Sequence, residues 1–175
     1  MLFSRKDLTR LLVPLIIEQF LSVLVGMIDV VMVAEVGEAA VSGVSLVDSI
    51  NLLLIQLLAA MATGGAVVAG QALGAGDTKR ACLAANQLLL VTTLISLAIM
   101  ALSLVGNGFI LNTLFGQIES DVMDNARIYF YITALSFPFL AVYNSCAALY
   151  RTMGNSKVSM KTSLLMNGIN IVGNT

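Results

Sequence analysis

At 175 residues the chain has the length of one domain, yet 58% of its residues are hydrophobic and 11% are charged. A soluble domain of ordinary composition carries about 25% charged residues, and so small a globule has too much surface to cover with so few. The net charge of −1, two cysteines and no histidine exclude a nucleic-acid binder, a disulfide scaffold, imidazole metal sites and His-based catalysis. What remains is an all-α polytopic membrane protein, with no enzymatic role, catalytic residue or cofactor expected.

A helix needs about 20 mostly apolar residues to cross roughly 30 Å of hydrocarbon. The first stretch that qualifies is 11–33. It is long for a signal-peptide core, shows no small-x-small cleavage site, and carries Glu18 and Asp29 within it, so it is read as an uncleaved span. At about 100° per residue, Glu18 and Asp29 return to within about 20° of one face, and Ser22 falls there too. Pro14 belongs to its first turn or two. Gly37-Glu38 makes the following turn.

The second span is 41–73. Ser42, Ser45, Ser49, Gln56 and Thr63 lie within about 60° of one line on it, with Asp48 bordering that line and Asn51 further off. Ala62, Ala66, Gly70 and Gly74 recur four apart, the pattern that lets two backbones approach in lipid. The segment Gly70 to Lys79 lacks the Gly-Lys-Ser/Thr ending of a phosphate loop and follows no strand, so it reads as the end of a helix. The third span is 81–105. It has few polar residues (Thr92, Thr93, Ser96 and Ser103), and more of it is expected to face lipid.

A longer connection is expected from Gly106 to Asp121, with Phe109-Ile110-Leu111 and Leu114-Phe115 spaced for a short interfacial helix. The fourth span, 122–149, carries Tyr129, Thr133, Ser136, Tyr143 and Asn144 as another polar stripe, and Pro138 at its middle is expected to bend it. A fifth, 158–175, is incomplete: 16 residues remain from Met160 onwards, about 24 Å of helix. The chain therefore reads as the front part of something longer.

Basic residues set the orientation. Arg5, Lys6 and Arg10 precede span one, Lys79 and Arg80 separate spans two and three, and Arg151, Lys157 and Lys161 follow span four. The opposite connections hold Glu35, Glu38, Glu119, Asp121 and Asp124, with Arg127 the exception. The positive-inside rule puts the N-terminus in the cytoplasm. Cys82 and Cys146 then fall towards the cytoplasmic ends of their spans, as reduced and inert thiols.

An ionisable residue inside a span costs about 2.5–3.5 kcal/mol at the bilayer centre on insertion scales, so it usually faces a cavity or a partner. Three striped helices can enclose one wet cavity, lined by Glu18, Ser22, Ser45, Asp48, Ser49, Gln56, Tyr129, Thr133, Ser136 and Asn144. Interhelical hydrogen bonding accounts for the hydroxyls alone, but poorly for the carboxylates. Counted along the helix axes, Asp29, Asn170 and Asn174 reach similar levels in the outer half. A carboxylate beside two amide oxygens suits a cation with hard oxygen ligands, or a proton shared between Asp29 and its partners.

Several segments resemble the multidrug and toxic compound extrusion (MATE) family, in the right order along nearly the whole chain: Leu12-Val13-Pro14-Leu15, Gly26-Met27-Ile28-Asp29 with Val30-Val31-Met32, Gln71 to Asp77, Pro138-Phe139-Leu140, Tyr150 to Lys157, and Asn170-Ile171-Val172-Gly173-Asn174. The likeness is to bacterial members. It implies a multi-pass transporter of the cell membrane, an antiporter for multidrug efflux that expels organic, often cationic xenobiotics as Na⁺ or H⁺ enters. It also implies that Asp29, Asn170 and Asn174 form the first bundle's cation site, with Asn174 standing where some members have Asp. The chain would be the front of the first bundle of a 12-helix fold. Its missing partner would be the C-terminal half, so alone it should not transport. Two other readings stand beside this one: a lipid-linked sugar flippase of the same superfamily, disfavoured by acids where basic residues would be needed, and a small oligomeric channel or scaffold.

Overall fold

The computed structural model describes residues 5–116 and 118–174, and their side chains except at 5–7, 10, 170, 171, 173 and 174. Five helices follow one another: α1 (Arg5–Ala34), α2 (Glu38–Gly74), α3 (Thr78–Phe115), α4 (Ser120–Thr152) and α5 (Ser156–Asn174). The stretches Leu11–Ala34, Glu38–Gly74, Thr78–Phe115 and Ser120–Thr152 are long and apolar enough to cross a membrane. In lipid a spanning chain must satisfy its own backbone, which only continuous helices achieve here.

Short turns keep neighbouring helices antiparallel, and two of them are built alike. After α2, Asp77 N–H donates to the Ala72 carbonyl at 3.0 Å; after α4, Asn155 N–H donates to the Tyr150 carbonyl at 2.9 Å. Each turn passes through a glycine of positive φ, Gly76 at 79° and Gly154 at 77°, where a Cβ would be strained. The Asp77 carboxylate then accepts from Arg80 N–H at 2.9 Å and caps α3.

Helices α2, α3 and α4 pack on one another, and α1 packs chiefly on α5. Along α4, Ala126, Phe130, Ala134, Phe137, Ala141, Ser145 and Ala148 are buried four or three apart as a continuous seam, with Ala147 buried beside it. Its outer layer joins Ala126 and Phe130 to Val47 and Leu111. A middle layer joins Ala134, Phe137 and Ala141 to Leu58, and the innermost joins Ala148 to Ala62, Ala66 and Leu88. Lipid gives no hydrophobic drive between helices, so close backbone approach matters more than apolar bulk. A Cβ placed on Gly43 would lie 2.9 Å from both Ala126 N and Val122 O, which makes this glycine the tightest backbone crossing of α2 on α4. The small-residue face of α2 meets its neighbours as expected at Ala62, Ala66 and Gly70, where a Cβ would run into Thr152; at Gly74 it meets nothing.

Two local expectations are corrected. The separate interfacial helix after residue 105 does not exist: α3 runs on to Phe115. Leu111 is fully buried against α2 and α4, and Asn107 donates to the Arg127 carbonyl at 3.1 Å. These contacts hold the segment in the bundle despite Gly106 and Gly108. Pro14 does stand in the first turn of the Leu11–Ala34 span, although α1 itself starts at Arg5. Finally, Asn51, expected off the polar line of α2, is the buried one: it is 6% exposed and accepts from Thr133 Oγ1 at 3.4 Å.

Candidate functional site

The inward face of α1 is set by spacing. Pro14 and Val25 are buried, and Leu11, Glu18, Leu21, Asp29 and Met32 are half-buried, three or four residues apart as one helical stripe. Glu18 and Asp29 thus share the packed side, as their phase requires, whereas Ser22 is exposed. They are separated by about 16 Å along the axis, and each meets a different tyrosine of α4.

Towards the start of α4, Tyr129 Oη donates to Asp48 Oδ1 at 3.0 Å. Asp29 lies within electrostatic range of the same phenol and is itself engaged within the protein. A carboxylate of α2 thus bonds this tyrosine of α4, with a carboxylate of α1 in electrostatic range of it. Just inward, Thr133 Oγ1 also donates to the Tyr129 carbonyl at 3.0 Å, and Ser136 Oγ donates to the Thr133 carbonyl at 2.7 Å. These hydroxyls sit immediately ahead of Pro138, which has no N–H of its own to donate; α4 continues through that proline.

Towards the other end, Glu18 is gripped from two helices. Tyr143 Oη donates to its Oε1 at 3.2 Å, and Ser159 Oγ of α5 donates to its Oε2 at 2.5 Å. Ser163, also buried, interacts with the same phenol. Asn144 is half-buried beside Tyr143. The ion pairs among the described residues are Arg80–Asp77 and Arg127–Asp124, so neither Glu18 nor Asp48 is neutralised by one of these.

The line of hydroxyls on α2 lies elsewhere. Ser45, Ser49, Gln56 and Thr63 are exposed. The hydroxyls of Ser45, Ser49 and Thr63 donate to carbonyls four residues back at 2.8, 3.1 and 2.8 Å, a self-satisfied arrangement. Ser45 and Ser49 line a cavity of about 970 Å³ at the start of α2, together with Ser42, Glu38 and Glu119. The backbone of α5 reaches Asn174, but the side chains of Asn170 and Asn174 lie outside the described residues.

Sequence reasoning missed Ser159 and Ser163. Both are buried and, with Ser156, they form a stripe three and four residues apart on α5, a signal present in the spacing. Asn51 was missed because its phase departs from the longer run of serines, although amides, unlike serines, rarely go unpartnered in a span.

The MatE family profile matches residues 14–175. The chain is 29% identical over 173 residues to the "Probable multidrug resistance protein NorM" of Thermotoga maritima, covering 95% of this chain and 36% of that protein. It is 28% identical over 162 residues to the "Uncharacterized transporter YisQ" of Bacillus subtilis, covering 92% and 35%. The chain thus spans about a third of the length of these relatives. Its fold superposes with a TM-score of 0.90, at 20% identity, on a MOP superfamily transporter from Pyrococcus furiosus whose binding pocket is described as of reverse polarity, covering 97% of this chain and 37% of that one. The same values hold for an outward-facing multidrug resistance MATE transporter. A profile matched across nearly all of the sequence, on helices arranged as in those transporters, means that the chain belongs to the MatE family of multi-pass membrane transporters.

Proposed function

We propose that this chain supplies the front of the N-terminal bundle of a bacterial cation-coupled antiporter that exports organic, often cationic compounds. The observation that carries the reading is the hydrogen bond of Tyr129 to Asp48, with Asp29 within electrostatic range of the same phenol. Acids on two spanning helices beside one phenol of a third, with Asp48 open at the surface of these five helices, are what a cation-exchange site requires. The similarity to a protein described as a probable multidrug resistance protein supports the class of cargo. Asp29 is the coupling group in this reading, with Asn170 and Asn174 supplying amide oxygens, and Na⁺ or H⁺ as the coupling ion. Alternating access needs a second bundle to rock against, so the 175-residue chain by itself should not transport.

In the complete transporter, Asp29→Asn should abolish efflux of a fluorescent organic cation driven by an imposed Na⁺ or H⁺ gradient, while membrane insertion stays intact. Unchanged efflux removes Asp29 from the coupling role. Flipping of a lipid-linked sugar by the same vesicles, without cation efflux, would replace the reading with a flippase.

A further inference from the structure

We infer that Glu18, Tyr143 and Ser159 form a second binding site, for a monovalent metal cation of sodium's kind, about 16 Å along α1 from Asp29. It goes beyond the coupling role given to Asp29 and does not depend on it. The carboxylate of Glu18 stands on the packed face of α1, where an uncompensated charge is costly. What surrounds it are oxygens: Ser159 Oγ at 2.5 Å from α5 and Tyr143 Oη at 3.2 Å from α4, with Ser163 beside that phenol. A hydroxyl both donates and accepts, and its hydrogen rotates. Each of these groups can turn its hydrogen away and offer a lone pair to a cation held against the carboxylate. Amide or guanidinium nitrogens in the same places could not.

The charge of the set selects the ligand. One carboxylate with neutral hydroxyls carries −1, which one monovalent cation balances. Ca²⁺ and Mg²⁺ sites are built from more carboxylates than this, and no group of three or more His, Cys, Asp or Glu fit to hold a metal occurs among the described residues. Among the described residues no basic side chain forms an ion pair with Glu18. Arg151 on α4 is within range of Tyr143, but its Nε donates to the Ala147 carbonyl at 3.2 Å, and Lys157 and Lys161 on α5 are exposed. One turn before Ser159, Ser156 is 2% exposed and its hydroxyl has no partner among the described residues. It extends the oxygens of α5 towards the helix's first turn, the side from which a cytoplasmic cation would enter. Since the three ligating residues come from three helices, an occupied site fastens α1 and α5 to α4.

The test is the thermal unfolding of this chain in lipid nanodiscs, in sodium chloride against choline chloride at equal ionic strength. The Asp29→Asn background removes the coupling carboxylate from the comparison. In that background sodium, but not choline, should raise the unfolding temperature. Adding Glu18→Gln should abolish the sodium-specific rise, and adding Ser159→Ala should weaken the sodium affinity by about tenfold. Should Glu18→Gln fail to fold, the Tyr143→Phe, Ser159→Ala pair must show the same loss. A sodium response absent from the Asp29→Asn background, or one left unchanged by the Glu18 or the paired substitutions, overturns the site. Either result leaves the efflux test of Asp29 untouched.

Discussion

Along α2, α3 and α4 the seam is filled by alanine, leucine and phenylalanine, brought close by Gly43 and Gly70 and pinned by a buried Thr92–Ser145 hydrogen bond of 2.9 Å. Along α1 only Pro14 and Val25 are buried among the described residues, and the helix is tied across the bundle by the two hydroxyls on Glu18. The first region is held by close packing together with interhelical hydrogen bonds, the second chiefly by polar contacts. Dense packing is unforgiving of displacement, whereas a few hydrogen bonds can be exchanged for others. A transporter needs both properties: a scaffold that keeps its form, and an element whose seating responds to a bound ion.

The strongest way to break this contrast is to place volume where the backbones cross. Gly43→Val drives a branched side chain into Ala126 N and Val122 O, and should destabilise the chain by about 1–3 kcal/mol or more, read as a fall in unfolding temperature in detergent. Gly26→Ala on α1, where a Cβ would meet nothing within 4 Å, should leave it unchanged. If the two behave alike, the regions are not packed differently.

A smaller effect is expected at Thr92. Thr92→Val keeps the volume and removes the bond to Ser145, leaving that buried hydroxyl short of a partner. The cost should fall between about 0.6 and 1.7 kcal/mol, the range for interhelical hydrogen bonds in membranes. A double-mutant cycle with Ser145→Ala checks that the loss belongs to the pair.

The smallest effect is expected on the exposed line of α2. Thr63 returns its hydroxyl to the Ala59 carbonyl at 2.8 Å, so Thr63→Val should change stability by no more than about 0.5 kcal/mol. A larger loss in this chain alone would mean that the line of hydroxyls already has a partner here.

The spanning helices were legible because hydrocarbon imposes one length and one polarity on them. Their phases were partly legible. Glu18 and Asp29 fall on the packed side of α1 as an 11-residue interval demands, but the same arithmetic on α2 favoured Ser45 and Ser49 over Asn51. Periodicity identifies a face without identifying which neighbour covers it. The outer third of α3 was hidden by Gly106 and Gly108, which end helices in water. In lipid the unmet cost of bare backbone overrides that preference, and Leu111 finds its pocket only once α2 and α4 are in place. The grip on Glu18 was hidden for another reason: Tyr143 and Ser159 lie 125 and 141 residues away in sequence, and local spacing carries no record of such distances.

The continuation of α3 has one more outcome. Its exposed apolar residues run from Leu83 to Leu114, about 46 Å of greasy wall, while those of α1 run from Leu8 to Val31, about 34 Å. Where both edges meet lipid, a bilayer cannot match them at rest, so the lipid stretches beside one helix or that helix leans. Beside the longer wall the bilayer would have to thicken, and longer acyl chains would collect there.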